Sequence, residues 1–171
     1  MKALVYTGIK TLEYRDEKNP KLKKNESIIR VEAAGICGSD MHAYKGLDRI
    51  RKAPPLILGH EISGFDIKSN KSVVINPIIT CKKCRQCSTG NENLCINLSM
   101  IGLSKPVKRQ GGLADYLAIP INNIINIPLK TNLYHAALTE PVAVSLRAVN
   151  LATFHLKNKK YSPNILIIGA G

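Results

Sequence analysis

Short apolar runs separated by turn-forming residues occupy the first two-thirds of the chain. Runs rich in Val and Ile lie at residues 2–7, 27–36, 72–76, 112–119 and 124–127. Pro77, Pro120 and Pro128 each close one of these runs. Many short strands punctuated by Gly and Pro are typical of a small barrel or sandwich, so the pattern predicts a mainly β fold.

The pattern becomes helical from Leu133, where apolar residues recur with a period near 3.6 as far as Leu151. Pro141 suits a first helical turn, and the lysines at 157, 159 and 160 suit a helix C-terminus. Residues 165–168 then have the pattern of a buried strand, which Gly169-Ala170-Gly171 follows. A nucleotide-binding βαβ unit begins in this way, although a lone G-x-G more commonly marks only a turn.

Composition narrows the class of protein. The 171 residues are 44% hydrophobic, which suits one domain, or one domain and the start of another. No apolar run approaches the roughly 18 residues that a membrane span needs, and residues 1–7 lack the features of a secretory signal. We therefore expect a cytoplasmic protein with no membrane partner.

Charge is the second compositional signal. There are 25 Lys and Arg against 12 Asp and Glu, a net charge of +13. The basic residues are spread along the chain and only 5% of residues are aromatic, whereas nucleic-acid binding favours aromatics among basic residues. We interpret the excess as a solvated basic surface, and we expect no specific nucleic-acid partner. Attraction to an anionic substrate or cofactor is the alternative.

Four of the five cysteines, Cys81, Cys84, Cys87 and Cys95, form the pattern C-x2-C-x2-C-x7-C. The odd cysteine count disfavours a disulfide framework. Four closely spaced thiolates can enclose a tetrahedral Zn²⁺ with no position left for water, which predicts a structural zinc site at 80–96. An iron–sulfur cluster and free thiols are the alternatives, but bacterial ferredoxins have a last gap of about three residues, followed by proline.

A second group of donor residues comprises the fifth cysteine, Cys37, and the adjacent pair His60 and Glu61. Cys, His and Glu are the ligand types of an open, catalytic zinc site. Their spacing alone leaves the ordinary alternatives open: a small buried thiol, a core or surface histidine and a surface carboxylate.

Several longer motifs follow one another along the chain. They are G-I-C-G-S-D-M-H (35–42), G-H-E (59–61), the four-cysteine lobe with N-L-C (93–95), G-G-L-A-D-Y (111–116), T-E-P-V-A-V (139–144) and I-L-I-I-G-A-G (165–171). In these motifs and their order the sequence resembles the zinc-dependent medium-chain alcohol dehydrogenases, especially the polyol and threonine dehydrogenase branch. The resemblance implies a GroES-like β-barrel catalytic domain at 1–139. It further implies that 140–171 are a linking helix and the first strand of a Rossmann domain, truncated at its start.

The resemblance also implies roles for individual residues. Cys37 and His60 resemble the catalytic zinc ligands, with Glu61 and Glu140 as further carboxylates that bind zinc directly or lie beside it. Asp40 resembles the partner that orients His60, and Ser39 and His42 resemble the proton relay. Tyr44 is expected to line the substrate pocket, unless it is only a core aromatic. Gly169 and Gly171 resemble the start of the cofactor-binding loop.

The implied reaction is hydride transfer from an alcohol, a polyol or amino-alcohol, to NAD or NADP, with two Zn²⁺ per chain. The family usually assembles as homo-oligomers. Two departures qualify the resemblance: the segment 64–76 is short, which predicts a shortened hairpin, and the chain stops where the cofactor domain should begin. We therefore expect no turnover from this chain alone. A non-catalytic zinc-binding module, or the product of a truncated gene, is the alternative.

Overall fold

The fold is taken from a computed structural model, which describes residues 1–48, 53–154 and 164–169. The chain divides into two compact units, Met1–Glu140 and Pro141–Gly171.

The first unit is built mainly from short strands, as the apolar pattern predicts. The strands are β1 (Lys2–Gly8), β2 (Thr11–Asp16), β3 (Glu26–Gly35), β4 (Leu56–Ile57), β5 (Glu61–Asp66), β6 (Lys71–Ile75), β7 (Ile78–Ile79), β8 (Ser99–Met100), β9 (Tyr116–Pro120) and β10 (Ile124–Asn126). The helices of this unit are α1 (Gly38–Tyr44), α2 (Arg85–Ser88) and α3 (Leu133–Ala136), with single 3-10 turns at Glu92–Leu94 and Ile121–Asn123. A fourth helix, α4 (Thr139–Phe154), begins at the end of this unit and lies mostly in the second.

The strands form three antiparallel sheets. The largest has the order β10-β6-β5-β3-β9, a second has the order β2-β1-β4, and β7 pairs with β8. A bridge between Ala3 and Ala114 and a hydrogen bond from the Leu4 amide to the Leu113 carbonyl (2.8 Å) fasten β1 to the segment that leads into β9. Residues 111–115 therefore bind β1 just before the chain enters the five-stranded sheet.

The main core lies on one face of the five-stranded sheet. Ile29, Ile62, Val73 and Ile119 are each no more than 1% exposed and belong to one apolar cluster. In β9 the burial alternates from residue to residue, as expected for a strand with one covered face. Burying an Ile or Val side chain contributes about 1.5–3 kcal/mol, so this cluster is what holds β3 and β5 in register.

The hairpin between β5 and β6 is short, as expected, with Asp66 paired to Lys71 at its closed end. The Asp66 carboxylate accepts hydrogen bonds from the hydroxyls of Ser27 and Ser69 and from the amides of Lys68 and Ser69. Burial opposes ionisation of this carboxyl, but the hydrogen bonds outweigh it and lower the pKa of Asp66 below its usual value. Asp66 thus fixes the turn that lets the hairpin be short.

The second unit begins within α4, which has Pro141 in its first turn, as predicted. The strand predicted at 165–168 is not formed in the described structure: residues 164–169 have no strand pairing, and the side chains of Ile165, Leu166, Ile167 and Ile168 are exposed. A strand needs a neighbour for its backbone hydrogen bonds, and no strand of the described residues pairs with this segment. The lysines at 157, 159 and 160, and Gly171, lie outside the described residues.

Within the described ranges, none of the helices combines the length and the apolar character that a bilayer crossing demands.

Close packing of β5 on β3 makes a prediction about Gly64. A Cβ added to Gly64 would lie 2.1 Å from the Arg30 carbonyl oxygen, a backbone atom that cannot move without breaking the sheet. Gly64→Ala should therefore lower the free energy of unfolding by about 2 kcal/mol or more. Gly8→Ala is the matched control, because its Cβ meets nothing within 4 Å. Urea denaturation should show a change within about 0.5 kcal/mol for Gly8→Ala, and equal stabilities for the two variants would contradict this packing.

Candidate metal centres

The four predicted cysteines meet in one cluster between β7 and β8. Their sulfur atoms all lie within 4.8 Å of one another. The Sγ–Sγ distances are 3.5 Å for Cys84–Cys87, 3.5 Å for Cys81–Cys95 and 4.0 Å for Cys84–Cys95. Thiolates bound tetrahedrally to Zn²⁺ at about 2.3 Å would lie roughly 3.8 Å apart. The cluster therefore has the dimensions of a closed tetrahedral zinc site.

Local backbone structure brings these cysteines together. Lys82 has a positive φ of 57°, which turns the chain directly after Cys81, and Cys84 immediately precedes α2. The Cys95 amide bonds to the Glu92 carbonyl at the end of the 3-10 turn (3.0 Å), and the Lys82 ammonium pairs with the Glu92 carboxylate (2.5 Å). Of the four cysteines only Cys95 is buried, so the lobe has little apolar core of its own.

The electrostatics of the cysteine cluster favour a bound cation. Hydrogen bonds from the amides of Lys83 and Cys84 lower the pKa of the Cys81 thiol to about 6. Desolvation and the neighbouring thiols raise the pKa of the Cys87 thiol to about 11. Four sulfurs this close cannot all ionise unless a positive charge offsets their repulsion. A divalent ion would supply that charge, so the donor set fits Zn²⁺.

The second predicted group also comes together. Cys37, His60 and Glu61 each offer one ligand atom, and the three atoms lie within 4.8 Å of one another. Cys37 follows β3 and directly precedes α1, whereas Glu61 is the first residue of β5. Because β3 and β5 pair with Gly35 opposite Glu61, the sheet register places the end of β3 beside the start of β5.

The absence of a side chain at Gly35 creates the space for the Glu61 carboxylate. A Cβ at Gly35 would lie 2.1 Å from Glu61 Oε2. Glu61 is itself only 7% exposed, so the carboxylate has little room to turn elsewhere. Gly35 begins the G-I-C-G-S-D-M-H motif, but the sequence alone does not predict that it makes room for Glu61.

The G-G-L-A-D-Y motif holds the segment that carries His60. The amides of Gly111, Gly112 and Leu113 donate to the carbonyls of Ile57, Gly59 and Leu58 at 2.7, 2.9 and 3.0 Å, respectively. A Cβ at Gly111 would lie 2.2 Å from the Leu58 carbonyl oxygen, and one at Gly112 would lie 2.3 Å from Ile62. Only glycine permits two backbones to approach this closely. The motif therefore supports the metal cluster without contributing a donor.

Asp40 lies between the two chain segments of the cluster. Its Oδ2 accepts a hydrogen bond from the Cys37 amide (3.1 Å) and lies 3.8 Å from His60 Nδ1. Both side chains are buried, and His60 Nδ1 has no hydrogen-bond partner in the described structure. A buried ring nitrogen is costly to leave unpaired, and metal-binding histidines usually give their second nitrogen to a carboxylate. The cluster therefore fits a cation, with the Asp40 carboxylate close enough to His60 to orient its ring.

The other residues predicted for this site occupy α1 and α4. Ser39 is half-buried and His42 exposed, three positions apart on α1, and Tyr44 is half-buried at the end of that helix. Glu140 is in the first turn of α4 and is not one of the three atoms within 4.8 Å. Gly169 has a positive φ of 89° in an open segment.

Glu140 is nevertheless an electrostatic neighbour of the cluster. Desolvation raises the pKa of Glu140 above its usual value, and the Glu61 carboxylate raises it further, whereas His60 opposes the shift. A carboxylate whose pKa is raised by burial and by a second carboxylate nearby lies where a cation would bind favourably. Cys37, His60 and Glu61 leave a four-coordinate ion one open position, which Glu140, water or a substrate oxygen could take.

Comparison with known proteins identifies the first unit. A family model described as the alcohol dehydrogenase GroES-like domain matches residues 23–129, more than half of the chain. The chain belongs to this family. This GroES-like domain is the N-terminal domain of the medium-chain zinc alcohol dehydrogenases, so the family and fold class that the motifs indicate are confirmed.

The similar proteins include two named dehydrogenases. L-galactonate-5-dehydrogenase of Escherichia coli K12 is 32% identical over 180 residues, covering 100% of this chain and 50% of the relative. L-idonate 5-dehydrogenase of Vitis vinifera is 31% identical, covering 96% of this chain and 46% of the relative.

Among solved structures, galactitol-1-phosphate dehydrogenase from Escherichia coli superimposes with a TM-score of 0.79 at 26% identity, covering 90% of this chain and 45% of that chain. The GroES-like chain thus spans about half the length of the relatives it matches.

The clash at Gly35 predicts a selective loss of metal. Gly35→Ala should displace the Glu61 carboxylate and weaken metal binding at the Cys37 cluster by about tenfold or more, because one donor is lost. Binding at the four-cysteine lobe should be unchanged. Gly38→Ala is the control, since a Cβ there meets nothing within 4 Å. Competition titration with a zinc chelator measures both affinities. Unchanged affinity of the Cys37 cluster in Gly35→Ala would show that Glu61 is not a ligand.

Proposed function

We propose that this chain is the catalytic-zinc domain of a dehydrogenase that transfers hydride from a polyol to NAD or NADP. The observation that supports this most directly is the convergence of Cys37, His60 and Glu61 at one end of the β3–β5 pair. In this proposal residues 1–139 form the catalytic domain, with its structural lobe at 80–96. Residues 140–171 form the linking helix and the start of a Rossmann domain.

Two zinc ions per chain are proposed, with different tasks. Cys81, Cys84, Cys87 and Cys95 would enclose the first ion completely, so that its role is to stabilise a lobe with little apolar core. Cys37, His60 and Glu61 would hold the second ion, and Glu140 would serve as a fourth donor, directly or through water. When bound, the second ion supplies Lewis-acid polarisation of the substrate oxygen, and the nicotinamide accepts the hydride.

The chain's own residues would move the proton and hold the geometry. Ser39 and His42 are three positions apart on α1, so they lie on one face of the helix. Ser39 is half-buried and His42 exposed, which suits passage of the substrate hydroxyl proton from Ser39 Oγ through the His42 ring to solvent. The Asp40 carboxylate would accept a hydrogen bond from His60 Nδ1 and so hold the ring in place. Asp40 would therefore be a positioning residue. Tyr44 would line the pocket that receives the substrate.

A polyol or polyhydroxy acid is the proposed substrate class. The two relatives at 31–32% identity are named for L-galactonate and L-idonate, and a structural neighbour is named for galactitol 1-phosphate. A fourth carboxylate such as Glu140 suits vicinal oxygens, because its exchange for a substrate oxygen would let two oxygens of one substrate approach the ion.

A nicotinamide cofactor is supported by a structural neighbour. A protein from Sinorhizobium meliloti 1021, described as a zinc-binding dehydrogenase and 33% identical, is bound to NADP (TM-score 0.77, 88% of this chain and 45% of that chain).

The cofactor requires more chain than Gly169 and Gly171 can provide. A G-x-G turn binds a pyrophosphate only when a strand precedes it and a helix follows. We therefore expect the 171-residue chain alone to bind zinc without reducing NAD or NADP. Absorbance at 340 nm with a panel of polyols is the measurement, and turnover at ordinary enzyme rates would contradict this expectation. We further propose that the whole enzyme is located in the cytoplasm and assembles as a homo-oligomer.

Metal analysis of cysteine variants tests the two-zinc arrangement. The zinc-loaded chain should contain two ions by mass spectrometry of the native protein. Cys37→Ser should reduce the count to one and leave the cysteine lobe loaded, and Cys84→Ser should remove the other ion. Each variant serves as the control for the other. One ion in the unsubstituted chain, unaffected by Cys37→Ser, would instead favour the non-catalytic zinc module.

Substrate access to the second ion is tested by cobalt substitution. The visible spectrum of the Co²⁺-loaded chain should change saturably on addition of xylitol, because a substrate oxygen enters the open position. The change should be lost in Cys37→Ser and kept in Cys84→Ser, provided circular dichroism shows that Cys84→Ser remains folded. A spectrum that no polyol or simple alcohol alters would show that the position is closed, against a catalytic role.

A further inference from the structure

A basic cavity on the first unit is unrelated to either metal cluster. Its volume is about 220 Å³, and it lies where the loop before β3 meets the start of β9 and the end of β4. None of the cysteines, His60, Glu61 or Glu140 lines it. Five of its fourteen lining residues are Lys or Arg, against 25 of 171 in the whole chain. The cavity therefore concentrates positive charge beyond what the basic composition alone would place there.

The acidic residues of the cavity are already committed to other partners. Glu26, whose side chain is 5% exposed, pairs with the Arg109 guanidinium (2.6 Å) and accepts a hydrogen bond from the Lys23 amide (3.1 Å). Glu17 pairs with Arg15, which does not line the cavity (2.7 Å). Among the described residues, Lys18, Lys21, Lys23 and Lys108 have no carboxylate within ion-pair distance of their ammonium groups. Their charge is thus left for a ligand.

Arg109 provides an unsatisfied donor in the cavity wall. Its Nη1 bonds to Glu26, but its Nε is buried and has no hydrogen-bond partner in the described structure. A buried N–H without an acceptor costs about 1–3 kcal/mol. Because Nε itself is buried, a ligand in the cavity would contact the exposed part of the Arg109 side chain, which is 21% exposed. Arginine is well matched to phosphate oxygens, since its guanidinium presents several donors in a fixed plane.

The wall of the cavity is held in place without a ligand. The Gln110 side-chain oxygen accepts a hydrogen bond from the Ile57 amide (2.8 Å), and the Gly111 amide donates to the Ile57 carbonyl (2.7 Å). Both Ile57 and Gln110 line the cavity. The small volume favours a compact anion over a drug-sized molecule, whose sites are usually about 300–1,000 Å³.

We propose that this cavity binds a compact phosphate group, either inorganic phosphate or that of a small phosphate monoester. The exposed part of the Arg109 guanidinium would donate to the phosphate, and the ammonium groups of Lys21 and Lys108 would supply opposing charge from the loop before β3 and the segment before β9. The site shares no residue with the proposed zinc clusters, so it stands or falls independently of the dehydrogenase proposal.

Phosphate titration of the 171-residue chain tests the site. At constant ionic strength, with excess metal removed, calorimetry and the ³¹P resonance should report saturable binding of one inorganic phosphate per chain. The double variant Lys21→Gln/Lys108→Gln should weaken this binding at least tenfold. The control Lys10→Gln/Lys130→Gln removes the same two charges from exposed positions outside the cavity and should change affinity less than twofold. Arg109→Lys keeps the charge, removes the planar guanidinium and should also weaken binding.

Three outcomes would overturn the proposal. Equal losses in the two lysine pairs would show that phosphate responds only to net charge. The absence of saturable binding at tens of millimolar phosphate would show that the cavity is filled by water alone. Succinate that binds as tightly as phosphate would contradict the phosphate assignment. Glycerol 3-phosphate distinguishes the two sources, because the monoester should bind more tightly if the physiological ligand is an ester.

Discussion

The antiparallel pairing of β3 with β5 is the constraint on which the candidate catalytic cluster depends. It places Gly35 opposite Glu61, so that Cys37, two residues beyond Gly35, lies beside His60 and Glu61, although some twenty residues of chain separate them. The buried cluster of Ile29, Ile62, Val73 and Ile119 holds this register. A slip of one residue would move every side chain of β5 to the opposite face and separate the three donors. Packing of the apolar core therefore determines whether the metal donors meet.

The two donor clusters are built in different ways, and the difference matches their proposed tasks. The four cysteines lie in a loop with little apolar core, where the positive φ of Lys82 and the Lys82–Glu92 ion pair bring the ends together. A metal there would contribute directly to the stability of the lobe. Cys37, His60 and Glu61 are instead carried by strands that the core already fixes. Such a preformed cluster can leave one position open for chemistry, because its geometry does not require a closed set of four ligands.

The sequence was most informative where residue chemistry and spacing coincide. The C-x2-C-x2-C-x7-C pattern locates the cysteine cluster, and the Val- and Ile-rich runs locate β1, β3, β6 and β10. The hydrophobic pattern alone did not locate β5, because Ser63, Gly64 and Asp66 resemble turn residues and nearly every position is buried, so there is no alternation to detect. The roles of Gly35 and of the Gly111–Gly112 pair depend on close approach between distant segments, which no local pattern reveals. The 165–168 run has the composition of a strand, but it lacks a pairing neighbour among the described residues.

Zinc-edge anomalous diffraction from crystals of the zinc-loaded chain tests the central claim most directly. The account predicts two anomalous peaks per chain. One should be surrounded by the four lobe cysteines, and the other should lie within bonding distance of Cys37 Sγ and a His60 ring nitrogen. A single peak in the cysteine lobe, with the Cys37–His60–Glu61 cluster empty at saturating zinc, would contradict the account.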